Sequence, residues 1–258
     1  MKNHNILKLF LLATIFTFSS CETVDLNQTD NPSTLPQSFI DPIYTFNYVQ
    51  LELPDFVNSA NSFTQRVTRQ LAMTGGNTYD NAFEPVNFNN NWSTGYRILN
   101  AIKIMEPKAI ANKRFYELGA AKVIRCYVLL TLVDMYGDIP YSQALQGNDN
   151  ITPGFDSSAA VYRGILAELD QAISVLNDPS GTTESTLDLY YGGKASWVTL
   201  AKTLKLKMYI TARRASADIN VADLASAIST IVNSGDYIDT SVKDFAFKYG
   251  NSRNLPNT

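Results

Sequence analysis

From residue 114 to residue 136 the chain is apolar almost throughout, with Val123, Ile124, Tyr127, Val128, Leu130, Leu132 and Val133 closely spaced and Gly137 placed to end the run. A helix of this kind has no face to give to water. It must lie in the centre of a core, with other helices packed around it.

The flanking sequence supplies those helices. Trp92, Tyr96, Leu99, Ile102 and Met105 recur near 3.6 residues, predicting a helix over 92–106 that stops before Pro107. Val57, Phe63, Val67 and Leu71 predict one over 55–73, closed by Gly75-Gly76. Beyond a loop at 138–155, Val161, Ile165, Leu169, Ile173 and Leu176 predict a helix over 158–176, with Ser157 or Ser158 as its cap. Further helices are expected over 194–214, around Trp197, Ala201, Leu204 and Met208, and over 221–232, near Gly235. The tail from Lys243 reads as a strand or a loop. No period-two alternation recurs, so the class is mainly α. Residues 92–136 and 158–214 form two imperfect helical hairpins, repeat-like but without the strict tetratricopeptide spacing.

The N-terminus carries a different signal. Lys2, His4 and Lys8 precede an apolar run at 9–18, shorter than the ~20 residues of a membrane span. Ser19-Ser20-Cys21 follows, and it resembles the lipobox of bacterial lipoproteins, with Phe18 where Leu is more usual. Residues 1–20 then read as a lipoprotein signal peptide and Cys21 as the lipid-attachment residue. Residues 21–54, polar and punctuated by Pro32, Pro36, Pro42 and Pro54, read as a tether and lead-in, and 55–258 as the helical body.

Removing residues 1–20 takes Lys2 and Lys8 and no acid, leaving 19 basic against 24 acidic residues and a formal charge of −5. Such a balance, without a basic run, argues against nucleic acid as a partner. The single histidine, His4, leaves with the signal, which excludes Ser-His-Asp and Cys-His catalysis and histidine zinc sites. No pair of carboxylates stands out for acid–base work. Cys126 would be the only thiol left, in an apolar helical stretch where a small buried side chain is expected. The chain reads as a non-enzyme without cofactor or metal.

Several segments together resemble one family. Gly119-Ala120-Ala121-Lys122-Val123-Ile124-Arg125 leads into Leu132-Val133-Asp134-Met135-Tyr136-Gly137-Asp138-Ile139-Pro140-Tyr141-Ser142-Gln143-Ala144. Trp92, Tyr96 and Leu99 precede it. Tyr162, Ile165, Leu166, Leu169, Ala172 and Ile173 follow, then Asp188-Leu189-Tyr190-Tyr191-Gly192-Gly193 with Trp197 and Leu204-Lys205-Leu206-Lys207. In this order, behind a lipobox, they resemble the SusD/RagB-type lipoproteins of Bacteroidetes, in the SusD-like branch.

The resemblance implies a helical fold with tetratricopeptide-like helix pairs. It also implies a lipid-held position on the outer face of the outer membrane. There the protein would cap a SusC-type TonB-dependent transporter and pass it an oligosaccharide, glycopeptide or peptide, without cutting it. Family members are longer and this chain corresponds to their N-terminal half, so it reads as truncated; a truncated gene, a fragment and a short member all fit. A helical scaffold lipoprotein that binds protein but no nutrient is the alternative.

For the ligand, the aromatic and asparagine-rich loop at 77–91 is the strongest stretch. Tyr79, Asp80, Asn81, Phe83 and Trp92 combine rings that stack on a sugar face with groups that hydrogen-bond its hydroxyls. Trp92 and Phe83 also suit a core. The turn Tyr136-Gly137-Asp138-Ile139-Pro140-Tyr141 reads as structural, and Lys202, Lys205, Lys207, Arg213 and Arg214 read as a solvated face.

Overall fold

The computed structural model describes residues 41–73, 79 and 88–247, which lie in the compact unit Ile40–Thr258. Cys21 and the expected signal and tether up to residue 40 lie outside these residues. Among the described residues six α-helices follow one another: α1 (Pro42–Val67), α2 (Asn89–Ala111), α3 (Phe115–Tyr136), α4 (Ser158–Asn177), α5 (Lys194–Thr211) and α6 (Leu224–Ser234). Each packs on the next, and α3 also meets α1 and α5. Among the described residues the only bridge is isolated, between Ile139 and Asp156, and Ser241–Lys243 is a 3-10 turn.

α3 occupies the centre, as its sequence requires. Val123, Ile124, Cys126, Val128, Leu130 and Leu132 are all buried, and Gly137 ends the helix at φ 80°. The Cys126 thiol is fully buried, and burial pushes its pKa well up, which suits an inert packing role. Gly119 lets α4 come close: a Cβ there would lie 2.5 Å from Leu176 Cγ.

Two helices run further than the sequence suggests, each through a proline. α1 starts at Pro42 instead of 55. Asp41 caps it, Oδ1 accepting from Ile43 N at 2.9 Å, and Pro42 fits the first turn, where its missing N–H costs nothing. Phe46, Val49, Leu53, Phe56 and Ala60 form its buried stripe. Pro54 lies inside it and cannot bond the carbonyl four residues back, Gln50 O. That carbonyl accepts instead from Tyr190 Oη at 3.3 Å. The fully buried Gln50 side chain bonds the same segment, donating to Leu187 O and accepting from Leu189 N, each at 2.8 Å. α2 likewise continues past Pro107, because Met105 and Ala109 on either side are both fully buried against the core.

The later helices follow their patterns closely. Ser157, not Ser158, caps α4, accepting from Ala160 N at 3.3 Å. α5 ends at Thr211, short of the expected 214. α6 begins behind its Asp223 cap and closes on Gly235 in the left-handed region.

Candidate functional site

The site begins with the way α1 and α2 lie together. Their buried stripes face α3, which leaves polar residues of both along an outer seam. Asp55, Asn58, Ser59, Ser62 and Arg66 come from α1; Asn90, Thr94 and Arg97 come from α2. With Phe63 and Met73 they line a cavity of about 400 Å³. Asn90 Nδ2 donates to Ser59 Oγ at 3.3 Å across the seam. Arg97 is held by Glu52, through Nε at 2.9 Å and an ion pair at 2.6 Å. Met73 lies shortly before the 77–91 stretch and Asn90 near its end, in the first turn of α2, and both line this cavity.

The expected ligand residues divide. Asp80, Asn81 and Phe83 lie outside the described residues. Tyr79 is 42% exposed, with the Arg69 guanidinium 4.9 Å from its ring centroid. Trp92 is packed, its ring 5.0 Å from Tyr136 and 4.8 Å from Tyr96. Phe88 continues the cluster toward Tyr136 at 6.0 Å and Phe63 at 4.6 Å. Neither Tyr79 nor Trp92 lines the cavity. The residues that do were missed in the sequence, although Asp55, Asn58, Ser62 and Arg66 repeat with helical spacing; nothing local says that Asn90, Thr94 and Arg97 will face them.

The turn after α3 is a structural junction. Tyr136 Oη donates to Phe88 O at 2.9 Å and Tyr96 Oη to Pro140 O at 2.7 Å. Asp156 accepts from Tyr141 N at 3.0 Å and Ser142 N at 2.8 Å. Burial alone would raise the Asp156 pKa, but these bonds and the Ser142 hydroxyl outweigh it and lower it. Asp138 accepts from Ser158 N and Oγ, both at 2.8 Å, which lowers its pKa. Asp134 accepts from the Tyr162 hydroxyl. On α5, Lys202, Lys205 and Lys207 face Asp236, Asp170 and Asp134, so this stretch is ion-paired and not an open basic patch. Among the described residues no cluster of His, Cys, Asp and Glu has the arrangement of a metal site.

A cavity lined by amides, hydroxyls, a carboxylate and guanidinium groups over Phe63 and Met73 can hold a polar ligand by many small hydrogen bonds. Comparison with known proteins says what kind of protein carries it. The family model SusD-like, described as starch-binding associating with outer membrane, matches residues 29–253. The chain belongs to the SusD-like family. Solved SusD-like structures share its fold. A SusD/RagB family protein from Bacteroides thetaiotaomicron is 20% identical, with a TM-score of 0.66, over 82% of this chain and 46% of its own. A SusD homolog from Bacteroides fragilis is 20% identical, with a TM-score of 0.63, over 84% and 45%. A chitin-binding SusD homolog from Flavobacterium johnsoniae is 20% identical, with a TM-score of 0.59, over 75% and 42%. This SusD-like chain therefore spans less than half the length of the structures it matches. No curated protein matches it. Its family is one of binding proteins associated with the outer membrane.

Proposed function

We propose that this chain is a surface lipoprotein that captures a nutrient (an oligosaccharide, glycopeptide or peptide) and passes it to a SusC-type TonB-dependent transporter. It binds and releases its cargo without cutting it. The polar cavity between α1 and α2, at the edges of the 77–91 segment, carries this reading for the ligand. Its donors and acceptors suit a ligand rich in hydroxyl or amide groups, and Tyr79 adds an exposed ring nearby in sequence. The family's description as starch-binding and a chitin-binding relative support a carbohydrate among the cargoes.

Cys21 is the proposed anchor. One acyl chain holds a membrane only marginally, so stable attachment takes more than one. Cys21→Ala should move the protein from the membrane fraction into soluble material; retention in the membrane would sink the anchor. Titration of the full chain with glycan and peptide pools tests the cargo. Binding that weakens about tenfold or more on Asn58→Ala or Asn90→Ala supports the cavity, and a folded protein that binds none of the pools counts against it. Co-purification with a SusC-type transporter tests the partnership.

A further inference from the structure

Among the described residues, two charges in the lining of the cavity between α1 and α2 stand without an ion pair, Asp55 and Arg66. Arg66 lines it, half-buried in the last turn of α1, and its side chain makes no hydrogen bond or ion pair with any described residue. Its neighbour Arg97 is neutralised by Glu52 at 2.6 Å. Asp55 carries the one carboxylate among the described lining residues. It lies eleven residues before Arg66 on the same face, about 16 Å away along the helix axis, too far to pair with it. A cation in the last turn suits the helix dipole, which accounts for a positive residue at this position. It does not account for a half-buried arginine that lines a cavity without a side-chain partner among the described residues.

We propose that Arg66 anchors a carboxylate on the ligand, so that the cavity prefers carboxylate-bearing ligands to neutral ones. The planar guanidinium offers paired N–H donors in the geometry of a carboxylate, and charge-assisted bonds of this kind are about twice as strong as neutral ones. Asn58, Ser62 and Asn90 then hold the neutral part of the ligand with donors and acceptors of both kinds. The inference rests on the reading that this cavity is the nutrient site. A carboxylate reaches it from a uronate unit of an oligosaccharide or from the free C-terminus of a short peptide. Asp55 separates the two, because a peptide also brings an ammonium group for it to accept and a uronate oligosaccharide brings none.

The test is calorimetry on the full chain at low salt with matched ligands. A uronate tetrasaccharide is compared with its carboxyl-reduced neutral form, and a tetrapeptide with its C-terminal amide. At least one acid should bind about tenfold more tightly than its neutral mate. That preference should shrink as salt rises. Arg66→Gln should bring the mates to equal affinity, and Arg66→Lys should keep only part of the preference, since an ammonium lacks the fork. Far-ultraviolet dichroism and the melting temperature establish that both variants are folded. Asp55→Asn should weaken the tetrapeptide if the peptide is the source and leave a uronate ligand's preference intact.

Equal binding of both mates, or a preference that survives Arg66→Gln, overturns the carboxylate anchor. If both mates bind alike and Asn58→Ala weakens both, the cavity still stands as the nutrient site while the anchor falls. If nothing binds, or binding ignores Asn58 and Asn90, the cavity reading falls and takes the anchor with it.

Discussion

Asp188 shows how much of this fold hangs on single side chains. Its carboxylate accepts from Trp197 Nε1 at 2.8 Å, Tyr190 N at 2.9 Å, Gly192 N at 3.0 Å, Tyr191 N at 3.1 Å and the Tyr116 hydroxyl. It thereby ties α3, α5 and the turn before α5 together. Burial alone would raise its pKa; the bonds from Tyr116, Trp197, Tyr190 and Tyr191 overcome that and lower it. A carboxylate with a lowered folded pKa adds stability that is full above the unfolded value, about 3.9, and lost as pH falls through the folded one. Asp188→Asn keeps the size and replaces one acceptor by a donor. It should cost about 2–3 kcal/mol in urea unfolding at neutral pH, with the gap to the wild type closing below about pH 4. A gap constant with pH would show that these donors do not depend on the charge. Gly164 is a second such point, since a Cβ there would lie 2.3 Å from Tyr141 Oη. Gly164→Ala should cost about 1–3 kcal/mol, measured the same way, and no loss would show that Tyr141 can move aside freely.

Between elements, the least expected feature is charge within the core. Lys122 and Arg125 on α3 meet Glu106 on α2 and Glu168 on α4, with Lys122 2.7 Å from Glu106 and Arg125 3.4 Å from Glu168. Glu168 is buried, and burial raises its pKa against the pull of Arg125 and Lys122. Its sign is opposite to that of Asp188: the folded state holds this proton more tightly, so the contribution is full at low pH and lost as pH rises through the folded value. Lys122→Met would leave the Glu168 carboxylate short of a countercharge and should destabilise by about 3 kcal/mol. Adding Glu168→Leu should recover most of that, since a packed apolar pair often replaces a buried ion pair at little cost. A double variant no better than the single one would mean that Lys122 acts through Glu106 instead. The same helices show what sequence periodicity discloses. The uniformly apolar α3 and the stripe of α4 were legible because most of their large apolar residues are buried. The extents of α1 and α2 were not, because Pro54 and Pro107 are local signs of interruption. The partners that override them, Tyr190 for Gln50 O and the core for Met105 and Ala109, come from elsewhere in the chain.

At the scale of the whole molecule, the fold was legible and the cavity was not. The Asp-x-Tyr-Gly-Asp-x-Pro-Tyr turn signalled the family because its residues are architectural: Asp138 reaches the start of α4, Asp134 takes the Tyr162 hydroxyl and Pro140 O takes that of Tyr96. Trp92 belongs to that same aromatic junction. The cavity arises only when α1 and α2 pack side by side, so residues 55–66 and 90–97 become neighbours through tertiary structure alone. A ligand held across this seam would bind the paired helices and not the unfolded chain. At a hundred times its Kd it should add about 2.7 kcal/mol and raise the melting temperature by several degrees. Asn90→Ala, which removes one side of the seam, should reduce that rise at the same ligand concentration because affinity falls. If the ligand binds but the rise is unchanged in Asn90→Ala and in Asn58→Ala, it must sit elsewhere on the chain, and the seam between α1 and α2 is then a structural groove and not a binding site.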